Sequence, residues 1–213
     1  MKKERLEALA DGIFAIAITL LVIEIRIPEL YGIVTNNELM NSLFEMKALF
    51  LAYILSFALL FTYWKAHNYL FSVYAKNINP TLANYNALFF FFVVLVPFSA
   101  HMLGLYGETQ IGVMVLGINT ICIGLALMMM RRYIIGSNVI QNDIEAITSR
   151  NMRHGTIRTV FPVIVAALAI VLSFANIQVA LFLFTIAVLF NLVPSSANMV
   201  DKIFFRKALK SEQ

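Results

Sequence analysis

Apolar positions gather into six long runs, near residues 9–27, 48–70, 86–105, 111–130, 157–174 and 177–193, with polar stretches between them. Each run approaches the about 20 apolar residues that a helix needs to cross a bilayer core. The pattern predicts an all-α integral membrane protein with six transmembrane helices in one domain over 1–213. The helices are expected near 5–27, 48–70, 82–105, 110–130, 157–174 and 177–193, with a cytoplasmic connection over 131–156 and a cytoplasmic tail over 195–213. Within that connection, Ile140 to Ile147 suits a short cytoplasmic or interfacial helix. Asn79, Pro80 and Thr81 make a good start for the third helix, and Pro97 is expected to bend its outer end.

Composition agrees with this class: 61% of residues are hydrophobic and 13% charged, too apolar for an ordinary soluble domain. The single Cys122 excludes a disulfide framework and a cysteine metal site. The first run follows a basic start, but Asp11 interrupts it and no small-residue cleavage pattern follows, so a retained helix is expected instead of a signal peptide.

Charge sets the orientation. Lys2, Lys3 and Arg5, then Lys65 and Lys76, then Arg131, Arg132, Arg150, Arg153 and Arg158, and finally Lys202, Arg206, Lys207 and Lys210 all fall on one side, leaving Arg26 and Lys47 on the other. The positive-inside rule then places both termini in the cytoplasm of a multi-pass protein of the cell membrane. Glu24, Glu29, Glu38, Glu45 and Glu108 fall on the opposite side. Acids beside a mouth concentrate cations, although charged loops need no such role. The pI near 9.2 does not imply nucleic acid, because the basic residues flank membrane runs; lipid head groups are the expected partners.

The first run holds the candidate chemistry. At 100° per residue, Ile16, Thr19, Ile23 and Ile27 lie within about 40° of one another, while Asp11, Phe14, Ile18 and Ile25 point about 120° away. One face is an aliphatic stripe broken by a hydroxyl, and the other carries an acid expected to be buried, which must face a partner or a water-filled cavity. Arg5 lies on a different side of the helix and cannot pair with Asp11. Trp64 and His67, about as far from the end of the second helix as Asp11 is from the start of the first, come to equal depth in antiparallel neighbours. Asp11 is therefore expected to accept from Trp64, His67 or both, with Asn84 and Asn86 joining the cluster. Trp64 also suits an interfacial aromatic belt, and His67 a snorkelling polar residue.

These residues resemble the endosomal and lysosomal potassium channel family, whose first helix carries Arg-x-x-x-Phe-Ser-Asp. Here Arg5, Leu9, Ala10 and Asp11 stand at that spacing, followed by GIFAIAITLLVIEI, by Trp64 and His67, and by Asn86 with the Phe-rich run to Pro97, Phe98 and Ser99. The resemblance covers the first three helices by residue and the last three by topology. It implies a homotetramer in which the first helix lines a central pore, permeable to potassium and other monovalent cations. Ile16 and Ile23 would supply hydrophobic rings and Thr19 a hydroxyl layer setting constriction and selectivity, with Ile27 toward the outer pore. Without the resemblance, Ile and Thr at this spacing suit ordinary helix packing better than a pore lining, and the resemblance reverses that order. Leu9 and Ala10 depart from the motif's Phe and Ser, which thins the polar cluster.

Other functions find less support. His67, His101 and His154 lack metal-ligand spacing, no nucleophile sits near a base, and no Gly-rich phosphate loop is present, so neither an enzyme nor a cofactor or resident metal is expected. Gly104, Leu105, Tyr106 and Gly107 resemble a fragment of a carbonyl filter, but about five residues between the third and fourth helices leave no re-entrant pore helix. The alternative is a secondary or proton-coupled transporter using Asp11 and His67 as a relay, opposed by the absence of internal repeats and by apolar helix midplanes. A structural membrane protein is the remaining reading.

Overall fold

The structure, a computed structural model, describes residues 2–30, 32, 34–75, 77–137 and 149–192, the last stretch with side chains from 159 to 186. The described residues form eight helices and no strand: α1 (Lys3–Ile23), α2 (Asn36–Glu45), α3 (Lys47–Tyr74), α4 (Pro80–Val93), α5 (Val96–Tyr106), α6 (Gln110–Gly136), α7 (Ser149–Ser173) and α8 (Ile177–Leu192). Among the described residues, four units are long and apolar enough to cross a membrane, namely α1, α3, α4 continued by α5, and α6. The described apolar parts of the last two helices, Thr159–Ser173 and Ile177–Ile186, are shorter.

Helix starts follow from side chains that accept otherwise unpaired amide hydrogens. Asn79 accepts from the Leu82 amide at 2.9 Å with Pro80 behind it, and Thr109 accepts from Gly112 at 3.2 Å. The break at Val94 and Leu95 follows from Pro97, which has no N–H and whose ring opposes the Val93 carbonyl four residues back. There the Leu95 amide makes a tighter turn onto Phe92 at 3.2 Å, and the Ser99 hydroxyl donates to the Leu95 carbonyl at 2.9 Å.

Several expected boundaries move. The first helix stops at Ile23, so Ile27 lies beyond it and does not continue the helical stripe. Pro28 disfavours helical geometry at the residue before it, and the end closes through a short turn from the Ile25 amide to Val22 at 3.1 Å. α2 is an addition to the expected helices. α6 runs through Arg131 and Arg132 to Gly136, so the connection begins later than 131, and α7 begins at Ser149 instead of 157. Gly104, Leu105 and Tyr106 lie on the last turn of α5. The expected segment from Ile140 to Ile147 and the tail over 195–213 fall outside the described residues.

α6 stands at the centre, packed on α4, α5 and α7, while α3 packs on α5 and α1, and α8 on α7 and α3. Close approach of α6 to α7 requires glycine: a methyl at Gly124 would overlap Val163 Cγ2 and sit 3.2 Å from the Tyr63 hydroxyl. That hydroxyl donates to the Thr120 carbonyl at 3.0 Å, fastening α3 to α6. α1 is the least embedded span, with 28% of its apolar window buried against the chain compared with 44% to 56% for the other three.

Candidate functional site

α1 divides cleanly into two faces. Leu6, Ala10, Phe14, Ala17 and Leu21, spaced three or four apart, are buried against the rest of the chain. Ile16 is 60% exposed and Ile23 57%, with Thr19 exposed between them, so the aliphatic stripe points away from the rest of the chain. The Thr19 hydroxyl donates to the Ile16 carbonyl at 2.9 Å. Its proton is thus engaged along the helix, and the oxygen lone pairs remain to accept from outside.

Behind the stripe, three separate contacts fix α1. Trp64 Nε1 donates to Asp11 Oδ1 at 2.8 Å, which joins α1 to α3. Asp11 is nevertheless exposed on the chain and not the buried acid expected. The physical reason is rotation: Asp11 follows the buried Ala10 by one residue, about 100° round the helix, so only its carboxylate reaches the partner. Around Trp64, the Phe61 ring lies 5.5 Å away and the Lys65 ammonium sits over Phe61 at 5.7 Å.

His67 pairs elsewhere. Its Nε2 meets Asn86 Oδ1 at 2.8 Å, joining α3 to α4 in a fully buried place. The imidazole stacks on Phe71 at 4.5 Å and on Phe89 at 5.2 Å, with Phe90 and Phe14 completing the enclosure. Phe14 is the link back to α1, buried against Phe89 at 5.9 Å. Asn84, expected in this cluster, is exposed, since two residues along α4 is about 200° of rotation from Asn86. Arg5 and Leu9 are exposed, and Arg5 forms no ion pair among the described residues, whereas Lys3 pairs with Glu7 at 3.7 Å. Ala10 is buried where the motif has Ser.

The helix midplanes are not wholly apolar. Asn119 Nδ2 donates to Ser99 Oγ at 3.1 Å between α5 and α6, a buried pair that the sequence conceals because nothing in either run says which residues of the other it faces. On the side opposite the Asp11 contact, His101 Nδ1 lies 3.3 Å from Glu24 Oε2, joining α5 to the end of α1.

The family model described as the endosomal/lysosomal potassium channel TMEM175 matches residues 5–97, from Arg5 through the aromatic enclosure to Pro97. A potassium channel of Chryseobacterium sp. is 30% identical over 195 residues, which takes in 91% of this chain and 94% of that relative. The chain belongs to the TMEM175 family. A second relative, a potassium channel of Chamaesiphon minutus, is 39% identical over 102 residues, and the match spans 49% of its length. The crystal structure of a lysosomal potassium-selective channel TMEM175 homolog from the same organism superimposes with a TM-score of 0.73 at 26% identity, over 89% of this chain and 95% of that one. This TMEM175-family chain is therefore a multi-pass membrane protein, not an enzyme.

Proposed function

We propose that this TMEM175-family protein is a potassium-permeable cation channel of the cell membrane. It is a homotetramer with both termini in the cytoplasm, its path lined by four copies of α1. One observation carries the reading: an aliphatic face interrupted by one hydroxyl is turned away from the protomer, in a chain whose relatives carry the name of potassium channels. Around a fourfold axis, Ile16, Thr19 and Ile23 each become a ring. The isoleucine rings narrow the path and gate it by dewetting, and the threonine ring offers oxygen lone pairs in place of part of an ion's water shell. Selectivity for potassium is then weak to moderate, because it arises from dehydration at narrow rings and not from stacked carbonyls. Asp11 held by Trp64, and Phe14 seated against the His67–Asn86 pair, form the tie that gives the stripe the same direction in every protomer, while Arg5 and Leu9 of the motif stay outside it and Ala10 packs beneath it.

A carrier built on a relay between Asp11 and His67 has less in its favour. Asp11 bonds an indole, which shuttles no protons, while His67 bonds Asn86 inside an aromatic enclosure. Bi-ionic recording from purified protein in planar bilayers decides between these readings, with potassium on one side and sodium on the other. Unitary steps with a reversal potential displaced toward potassium are expected. Ile16→Asn should raise conductance by wetting the path, and Thr19→Ala should lower the preference for potassium. If Ile16→Asn, Thr19→Ala and Ile23→Ala all leave conductance and ion preference unchanged, α1 does not line the path. Silence together with gradient-driven uptake into liposomes would establish a carrier.

A further inference from the structure

α1 ends on an unfavourable charge. Its last turn carries no basic side chain and its C-cap is Glu24, so a carboxylate stands at the partially negative end of the helix dipole. A cation placed there relieves both the carboxylate and the exposed carbonyls. His101 of α5 is the group that reaches it, with Nδ1 3.3 Å from Glu24 Oε2. The contact has the distance of an ion pair, yet Nδ1 is buried and takes part in no aligned hydrogen bond. Its attraction therefore depends on charge on the ring more than on a shared hydrogen.

α5 packs on α1, α3 and α6. The other charged or titratable residues at this end of those elements are Arg26 and Glu29 after α1, Glu45, Lys47 and Tyr53 on the α2 and α3 side, Tyr106 at the end of α5 and Glu108 after it; Cys122 lies further along α6. Of the acids among these described residues, Glu24 alone lies within 4.0 Å of the His101 ring. The two side chains are 32% and 38% exposed on the surface of the chain.

We propose that His101 is a positioning residue for the outer end of α1. Protonated, it holds Glu24 and steadies the turn that carries Ile23; neutral, it lets that turn loosen. Its effect on ion flow rests on α1 lining the path, whereas the hold itself does not.

The test uses the full chain in nanodiscs, with amide exchange of residues 20–26 followed at pH 8.0 and 5.5. Exchange is expressed as protection factors, which removes the intrinsic pH dependence. Wild type should gain about two- to fivefold protection on acidification, the range open to a partly exposed ion pair. His101→Gln and Glu24→Gln should each abolish the gain, and the double variant should do no more than either. Equal protection at both pH values in wild type, or a gain retained in His101→Gln, overturns the proposal; should His101→Gln not fold, a gain retained in Glu24→Gln overturns it equally. Recordings with only the chamber opposite the termini acidified should show a wild-type change in current that both single variants lose. A protection gain without current at any pH would leave the hold standing and sink the channel reading.

Discussion

Replacing Asn86 by leucine isolates the bond that anchors α4 to α3. The two side chains are almost wholly buried, Asn86 at 0% and His67 at 1% exposure, and their bond is 2.8 Å long. Without the amide, the imidazole nitrogen faces phenylalanine rings and has no evident substitute partner. Hydrogen bonds between membrane helices average about 0.6 kcal/mol and reach about 1.7 kcal/mol. Complete burial and the aromatic surroundings place this one near the upper value. Asn86 Nδ2 already lacks a partner, so its removal returns part of the loss and leaves a net cost of about 1 kcal/mol. In a chain of 213 residues that corresponds to a fall of about 2–4 °C in unfolding midpoint. The double variant His67→Phe with Asn86→Leu keeps the stacked rings and leaves no polar group unpaired, so it should recover most of the fall. Thermal melts in detergent, followed by circular dichroism, read both. A single variant as stable as wild type, or a double variant below the single one, would refute the reasoning.

Two further outcomes follow from contacts elsewhere. Gly124→Ala forces a methyl into Val163 and toward the Tyr63 hydroxyl, so it should destabilise by about 1–3 kcal/mol and lower the same melting midpoint, whereas Gly136→Ala, where the space is open, should not. At the start of α2, Glu38 Oε2 accepts from the Thr35 amide and hydroxyl, both at 2.9 Å, which holds the Glu38 carboxyl below its usual range. A group lowered in this way stabilises the folded turn above the ordinary carboxylate pKa, and that contribution is lost as pH falls through the lowered one. Protection of the Leu39 amide, which bonds the Thr35 carbonyl at 3.1 Å, should therefore decline below about pH 4 in wild type and not in Glu38→Gln.

The spans were legible because a run of about 20 apolar residues has few other uses. Their ends were less so. Pro28 acts upstream of its own position, which is why Ile27 reads as stripe in a helical projection and lies off the helix in space. Arg131 and Arg132 resemble loop residues in sequence, yet Tyr133 beyond them meets Asn79 Nδ2 at 2.5 Å and carries α6 onward. The start of α2 had a visible signal, Thr35 followed three residues later by Glu38, and the apolar runs on either side obscured it. The expected reach from Trp64 to Asp11 needed only equal depth in two antiparallel helices. The partner of His67 needed the rotation of α4 as well, and composition offered Asp11, Asn84 and Asn86 alike. Ser99 and Asn119 could be paired only once α5 and α6 were packed.

The shallow seat of α1 has a consequence for assembly. Most of its apolar surface is left for something outside the chain, while α3 to α6 pack mainly on one another and on α7. If α1 lines a path between copies, folding and pore formation are separate equilibria, the first set by sequence and the second by how many copies share a bilayer. If four copies build the path, dilution into excess lipid should extinguish current along a steep power of protein density while helix content stays constant.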